Sequence, residues 1–227
     1  IRQMKKDRLG AKIDIYIEYN ILGSGNGVWP APRRLLQSSR QPVVLSFGVG
    51  YDLEFEIDVN KLYNAKIFAF DPTPKSIEWV NKIYLPSDIQ FRPKGISKRN
   101  EEIEFYPIDE NSKDRPGFSS KIDGATSYHK GECKCLNDIL QEEGLNISDV
   151  DLLKMDIEGM EYEVVEDMIE NKFYPRFLLI EYHHGRYSIK PNQTKESIQN
   201  LKKSGYEVFY ISDTGFEFGL VYCGAKG

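Results

Sequence analysis

The sequence predicts an α/β fold, a mostly parallel seven-stranded sheet with helices on both faces and an antiparallel hairpin at its C-terminal end. Three observations predict it. From Val43 onward, apolar runs of strand length alternate with longer segments of helical period. The first such run passes directly into a glycine turn, Gly48-Val49-Gly50. Near the C-terminus, two aromatic-rich runs within Tyr206 to Gly224 flank the turn residues Ser212-Asp213-Thr214-Gly215.

Taken in order, residues 1 to 42 lack this regularity. Gly23, Gly25, Gly27, Pro30 and Pro32 cluster within ILGSGNGVWPAPRR, which marks turns and not a helix interior. This stretch reads as an N-terminal arm on the substrate side, and 43–227 as one globular domain. Strands are expected at about 43 to 48, 66 to 71, 89 to 93, 151 to 155 and 177 to 182. Helices are expected at Leu53 to Tyr63, Pro74 to Tyr84, Leu136 to Glu143 and Glu161 to Asn171, with Pro74 at a first-turn position that tolerates its missing N–H. EEIEFYPI (Glu101 to Ile108) alternates at period two and reads as an inserted strand. The polar stretch from Asp109 to Lys130 reads as a loop over the site.

At 227 residues the chain can bury one substantial core, and 40% hydrophobic with 29% charged residues is the balance of an ordinary globular protein. No apolar run approaches the roughly 20 residues that span a bilayer, so no membrane partner is expected. A net charge of -5 disfavours nucleic acid, which needs a basic field, and favours a small or neutral substrate. The charged start IRQMKKDRLGAK has no apolar signal region and no initial Met, which suggests a domain from a longer polypeptide. Three cysteines, an odd number, fit a reducing, cytoplasmic setting better than a disulfide framework. Without a signal sequence, the sequons at Asn146 and Asn192 read as accidental.

A strand running into Gly48 and Gly50 lets backbone approach a ligand closely, although G-x-G alone is also a plain turn. The third glycine of a dinucleotide fingerprint is absent, which counts against a pyrophosphate ligand; Asp52 stands two residues after Gly50, placed to cap the helix from Leu53. The main-chain amides of Phe47, Gly48, Val49, Gly50 and Tyr51 are then the candidate cradle for a nucleoside-bearing ligand. Asp71, about 20 residues on and next to Pro72, can accept hydrogen bonds from both ribose hydroxyls, or else cap the helix at Thr73-Pro74. In LLKMDIEGMEYEVV (Leu152 to Val165), a buried-looking strand ends in Lys154, Asp156 and Glu158 before Gly159 and a helix with an acidic first turn. The carboxyl ends of strands are where open α/β sheets bind ligands.

That run resembles the K-(I/M)-D-(I/V)-E-G-x-E signature of the FkbM family of O-methyltransferases, with FAFDPTP and CLNDIL in the family's order. The resemblance covers about residues 40 to 185. At the first motif it departs, with Ser46 to Asp52 where a D-x-G-A-N-x-G loop is usual. It implies a class I methyltransferase Rossmann-like fold, in which an antiparallel pair ends the sheet. It also implies S-adenosylmethionine as cofactor, held over Phe47 to Tyr51, with ribose on Asp71 and adenine near Gly95, Ile96 and Ser97. The implied reaction is methyl transfer to a hydroxyl, frequently on a sugar or glycan, with a deoxyhexose such as rhamnose as the specific guess. A piece of a longer chain would suit fusion to other glycan-building domains.

A sugar hydroxyl is a weak acid, so transfer needs a base or a metal. RFLLIEYHHGRY (Arg176 to Tyr187) ends in Glu181, His183 and His184, and period two places Glu181 and His183 on one face. His183 is the first candidate for general base, with Asp156 and Lys154 beside it as catalytic candidates. Asp156, Glu181 and His183 could instead hold a divalent ion such as Mg or Mn, or the histidines could be strand-end residues satisfied by backbone. His129 reads as a substrate-loop residue, with Glu158 and His184 also facing the acceptor. Trp29 offers either a platform for a sugar's apolar face or an anchor of the arm onto the core. Cys133 and Cys135 read as packing, since C-x-C lacks a second zinc pair. Two rival functions share the glycine turn and acidic residue: a nicotinamide-dependent oxidoreductase, and a non-catalytic cofactor-binding module.

Overall fold

Every position of strand β3 (Val43–Phe47) is buried, which is what a strand needs when helices cover both faces of its sheet. The computed structural model to which it belongs describes residues 9, 11–25, 27–37, 40–108, 117–121 and 128–224. In chain order these form β1 (Tyr19–Leu22), β2 (Trp29–Pro32), β3, α1 (Glu54–Tyr63), β4 (Lys66–Phe70), α2 (Pro74–Val80), β5 (Ile89–Arg92), β6 (Gly95–Ile96) and β7 (Glu101–Pro107). They continue with β8 (Phe118–Ser119), β9 (His129–Lys134), α3 (Leu136–Glu142), β10 (Leu152–Met155), α4 (Glu161–Glu170), β11 (Phe177–Glu181), α5 (Pro191–Lys203), β12 (Tyr206–Ile211) and β13 (Glu217–Tyr222).

Seven strands make the main sheet, in the order β12-β13-β11-β10-β3-β4-β5. β10 runs parallel to both β3 and β11, and β4 to both β3 and β5. β13 is antiparallel to both β11 and β12, so it alone reverses and β12 returns to the common direction. The C-terminal pair is therefore a hairpin whose second strand inserts between β12 and β11.

The two faces of the sheet separate cleanly. Leu45 and Phe47 join Leu153, Met155, Leu178 and Ile180 in a core covered by α3, α4 and α5, through residues such as Ile139, Val164, Met168, Ile198 and Leu201. Val44, Ile67, Leu152 and Leu179 belong to the opposite core, which Phe55, Val59 and Tyr63 of α1 complete. Those three recur every fourth residue along one stripe of the helix, and each contributes roughly 1.5–3 kcal/mol by leaving water. Asn64, in the left-handed region at φ 52°, ends α1.

Within the N-terminal arm, Ile17, Trp29, Ala31 and Leu35 are buried in the α1-side core, and β1 pairs with β2. Three elements differ from the sequence reading. α2 stops at Val80, and Tyr84 beyond it is exposed. α5 was not anticipated, although Pro191 at its first turn and the buried Thr194, Ile198 and Leu201 on one stripe mark it. Of the stretch read as a loop from Asp109 to Lys130, residues 109–116 and 122–127 lie outside the described residues. The remainder supplies β8 and the start of β9 to a four-stranded sheet, β6-β9-β7-β8. None of the described helices is long and apolar enough to cross a membrane.

Candidate active site

The carboxyl ends of β3, β4 and β10 meet around a cavity. At Gly48, φ is +85° and a Cβ would stand 1.7 Å from the carbonyl oxygen of Asp156, so this turn can pass the end of β10 only as glycine. Gly50 (φ +55°) has open space where its Cβ would be, and its amide donates to Asp71 at 2.8 Å. The Asp52 carboxylate accepts the Glu54 amide at 2.8 Å, at the start of α1.

Asp71 is buried and takes two further donors, the Thr73 amide at 2.9 Å and hydroxyl at 2.6 Å. Burial pushes its carboxyl above the ordinary range against the pull of these hydrogen bonds. It thus ties the glycine turn to the start of α2 while still lining the cavity, where its remaining lone pairs can face a ribose.

Phe47, Gly48, Val49, Gly50, Asp71, Pro72, Gly95, Ile96 and Asp156 all line this cavity. Two residues expected with them do not. Tyr51 turns toward Trp79, ring centroids 6.3 Å apart, and the buried Ser97 hydroxyl donates to the Arg99 carbonyl. The inserted sheet adds a wall that the sequence did not announce, Phe105, Gly117, Phe118 and Cys133, with Met160 from the turn after β10. Burial pushes the Cys133 thiol up to about 12, which suits packing and not metal binding.

Lys154 and Trp29 leave the candidate list together. The Lys154 ammonium lies 3.7 Å from the buried Glu56 carboxylate, donates to the Gly48 carbonyl at 3.3 Å and sits 5.1 Å above the Trp29 ring. Strand alternation sends it, like Leu152, into the α1-side layer and away from the cavity. Trp29 is only 2% exposed and cannot offer a face to a sugar. Together they brace the glycine turn from behind.

A second group of side chains gathers at the ends of β10 and β11. His183, 2% exposed, places Nε2 3.1 Å from Glu158, 3.7 Å from Asp156 and 3.8 Å from Glu181. Its Nδ1 lies 2.7 Å from the buried Glu161. Burial alone would lower the histidine, but the hydrogen bond and charge of Glu161, with Glu158 and Asp156, raise it to about 10. Burial also raises Asp156 and Glu158, and carries Glu181 to about 8 with help from Asp156. Among the described residues, Asp156, Glu158 and His183 bring ligand atoms within 4.8 Å of one another, so Glu158 takes the place that the sequence reading gave to Glu181. One nitrogen and two carboxylates are a donor set that a hard divalent ion fits.

The other two histidines stand apart. His184 packs against the Phe216 ring at 4.7 Å instead of facing the acceptor side, and His129 is exposed on β9, edge-on to Phe118 at 5.4 Å. Two members of the cluster were missed. Tyr187 donates to Glu158 at 2.6 Å, and Glu161 entered the sequence reading as the last acid of the signature, in the first turn of α4, with no role at the site.

A family model described as the methyltransferase FkbM domain matches residues 43–208, from β3 into β12. The chain belongs to the FkbM methyltransferase family. The sheet order is that of the class I methyltransferase-like α/β fold, the family points to S-adenosylmethionine as cofactor, and the nicotinamide reading falls away. The aromatic-walled cavity, with Asp71 at the end of β4 and no basic side chain among the described residues of its lining, fits that cofactor's adenosine. Methyltransferase FkbM from Methylobacillus flagellatus KT is 13% identical at a TM-score of 0.48, matched over 80% of this chain and 44% of that one. This chain thus spans less than half of that protein's length. The fibrillarin pre-rRNA processing protein of Methanococcus jannaschii is 11% identical (TM-score 0.49, 95% of this chain and 87% of that one). The N-terminal domain of human METTL16 in complex with SAH is 15% identical (TM-score 0.44, 96% and 77%). Comparison with curated protein sequences returns no match.

Proposed function

We propose that this FkbM methyltransferase methylates a hydroxyl group of a sugar, on a glycan or a deoxyhexose such as rhamnose. The observation that carries the reading is the convergence of Asp156, Glu158, Glu181 and His183 at the rim of the cofactor cavity, two of them also lining it. Carboxyl groups are rich in acceptor oxygens, so a cluster of them suits an acceptor that presents several O–H donors. S-adenosylmethionine, when bound, supplies a methyl group already activated on a sulfonium.

The chain has two tasks left: to align the acceptor oxygen with that methyl, and to take its proton. His183, held as an imidazolium, has no lone pair with which to act as base, so that role passes to Asp156, which faces both the cavity and the imidazolium. His183 then steadies the carboxylates by charge. A divalent ion would serve the same end by acidifying a bound hydroxyl, held by Asp156, Glu158 and a His183 that gives up its Nε2 proton as the ion binds.

Methyl transfer by the purified protein to a panel of free sugars and glycans, with and without EDTA, tests the reading. At least one sugar is expected to gain a methyl group at oxygen. Asp156→Asn is expected to lose about 10²–10⁴-fold in kcat, the ordinary worth of a general base. Transfer to a nitrogen acceptor or an RNA with none to any sugar would overturn the acceptor class. Undiminished turnover in both Asp156→Ala and His183→Ala would overturn the chemistry.

A further inference from the structure

We infer that Glu161, the last acid of the signature Lys154-Met155-Asp156-Ile157-Glu158-Gly159-Met160-Glu161, is a positioning residue that fixes which nitrogen of His183 faces the acceptor. The inference rests on the reading of His183 as part of the acceptor cluster.

Glu161 is the first residue of α4 and is 0% exposed. A carboxylate so placed is costly unless donors surround it. Its Oε1 accepts the Ile157 amide at 3.3 Å, the Gly159 amide at 3.1 Å and Nδ1 of His183 at 2.7 Å; Oε2 accepts the Gly159 amide at 3.1 Å. Because a carboxylate has nothing to donate, Nδ1 must carry hydrogen whatever the charge of the ring. Nε2 is then the nitrogen presented to Glu158, Asp156 and Glu181.

The same side chain shapes the turn that carries half of the cluster. Glu158 and Gly159 hold φ values of +51° and +105°, and the amides that Glu161 accepts belong to this turn. One buried carboxylate therefore registers the end of β10, with Asp156 and Glu158, against the end of β11, with Glu181 and His183. Histidines that work at metals or in proton transfer are commonly oriented by such a partner on the opposite nitrogen, and its loss costs about 10–100-fold in activity or metal affinity. A purely structural staple of the turn would need the two amides and not the imidazole.

Glu161→Gln separates the two roles. Its carboxamide can keep an oxygen toward the turn amides, but its NH₂ group then meets Nδ1 and favours the tautomer with hydrogen on Nε2. Nitrogen-15 spectra of the imidazoles, taken with S-adenosylhomocysteine and EDTA present, report this directly. The chain has only His129, His183 and His184, and His183→Asn assigns the signal. In the unsubstituted chain Nδ1 of His183 is expected to be protonated, and in Glu161→Gln that proton is expected to be lost. On the acceptor that the panel identifies, kcat is expected to fall about 10–100-fold with the cofactor KM unchanged.

A bare Nδ1 in the unsubstituted chain would overturn the inference even if Glu161→Gln failed to fold. A folded Glu161→Gln with the same tautomer and the same kcat would overturn it as well. Because the spectra need no acceptor, failure of every sugar in the panel would count against the proposed function while this inference was decided separately.

Discussion

Gly48 and Gly50 stand two residues apart in the same turn, yet alanine should act on them differently. At Gly48 the new Cβ would lie 1.7 Å from the Asp156 carbonyl oxygen, where real Cβ contacts do not fall below 3.0 Å, so the turn or the end of β10 must retreat by about 1.3 Å. That overpacking costs about 1–3 kcal/mol, on top of about 1–2 kcal/mol for an L-residue at positive φ. At Gly50 only the φ cost applies, because the added methyl meets nothing within 4 Å. With about 2–4 °C lost per kcal/mol in a chain of this size, Gly48→Ala should lower Tm by about 4–20 °C and Gly50→Ala by about 2–8 °C. Binding should separate them further, since the Gly50 methyl occupies space kept for the cofactor and should weaken S-adenosylhomocysteine more than its small effect on Tm implies. Differential scanning calorimetry and isothermal titration measure both quantities. Equal Tm losses, or a larger loss at Gly50, would refute the packing argument.

Three further outcomes follow from the same geometry. Lys154→Met strands the buried Glu56 carboxylate and should cost about 3–5 kcal/mol in urea unfolding, with much of the loss recovered in Lys154→Met/Glu56→Gln; full stability with abolished turnover would return Lys154 to the chemistry. Trp29→Ala should cost about 3–5 kcal/mol while leaving the acceptor KM unchanged, and a rise in that KM at constant stability would restore Trp29 as a sugar platform. His183 is held at about 10 against 6.5 when unfolded, by Glu161, Glu158 and Asp156 with Glu181 close by. The folded chain therefore binds its proton more tightly, and the stability this supplies is complete below about pH 6.5 and lost as pH climbs to about 10. Thermal unfolding from pH 6 to 10 in EDTA should show a decline that is shallower in His183→Gln, and parallel curves for the two proteins would contradict it.

Much of this protein was legible as sequence because periodicity reports how a side chain is shared between core and solvent. The fully buried β3, apolar but for Ser46, and the fourfold stripe of α1 could be read that way, and KMDIEGMEYE carried the family. α5 escaped although its signals were present, because its mean character is polar and only a narrow stripe is buried. The second sheet escaped for a different reason: β6 and β8 are two residues each, too short for any period to show.

The sequence by itself determined the layer order, the glycine turn, the acid at the end of β4 and the set of acids and histidines from which a site could be made. Only the tertiary structure decided their roles. It sent Lys154 and Trp29 to the back of the glycine turn, set Glu158 closest of the cleft-facing acids to Nε2 of His183, and placed Glu161 on Nδ1. Periodicity says which side of an element a residue occupies. Which distant side chain it meets there depends on how β10, β11 and α4 converge, and that is settled by packing across segments far apart in the chain.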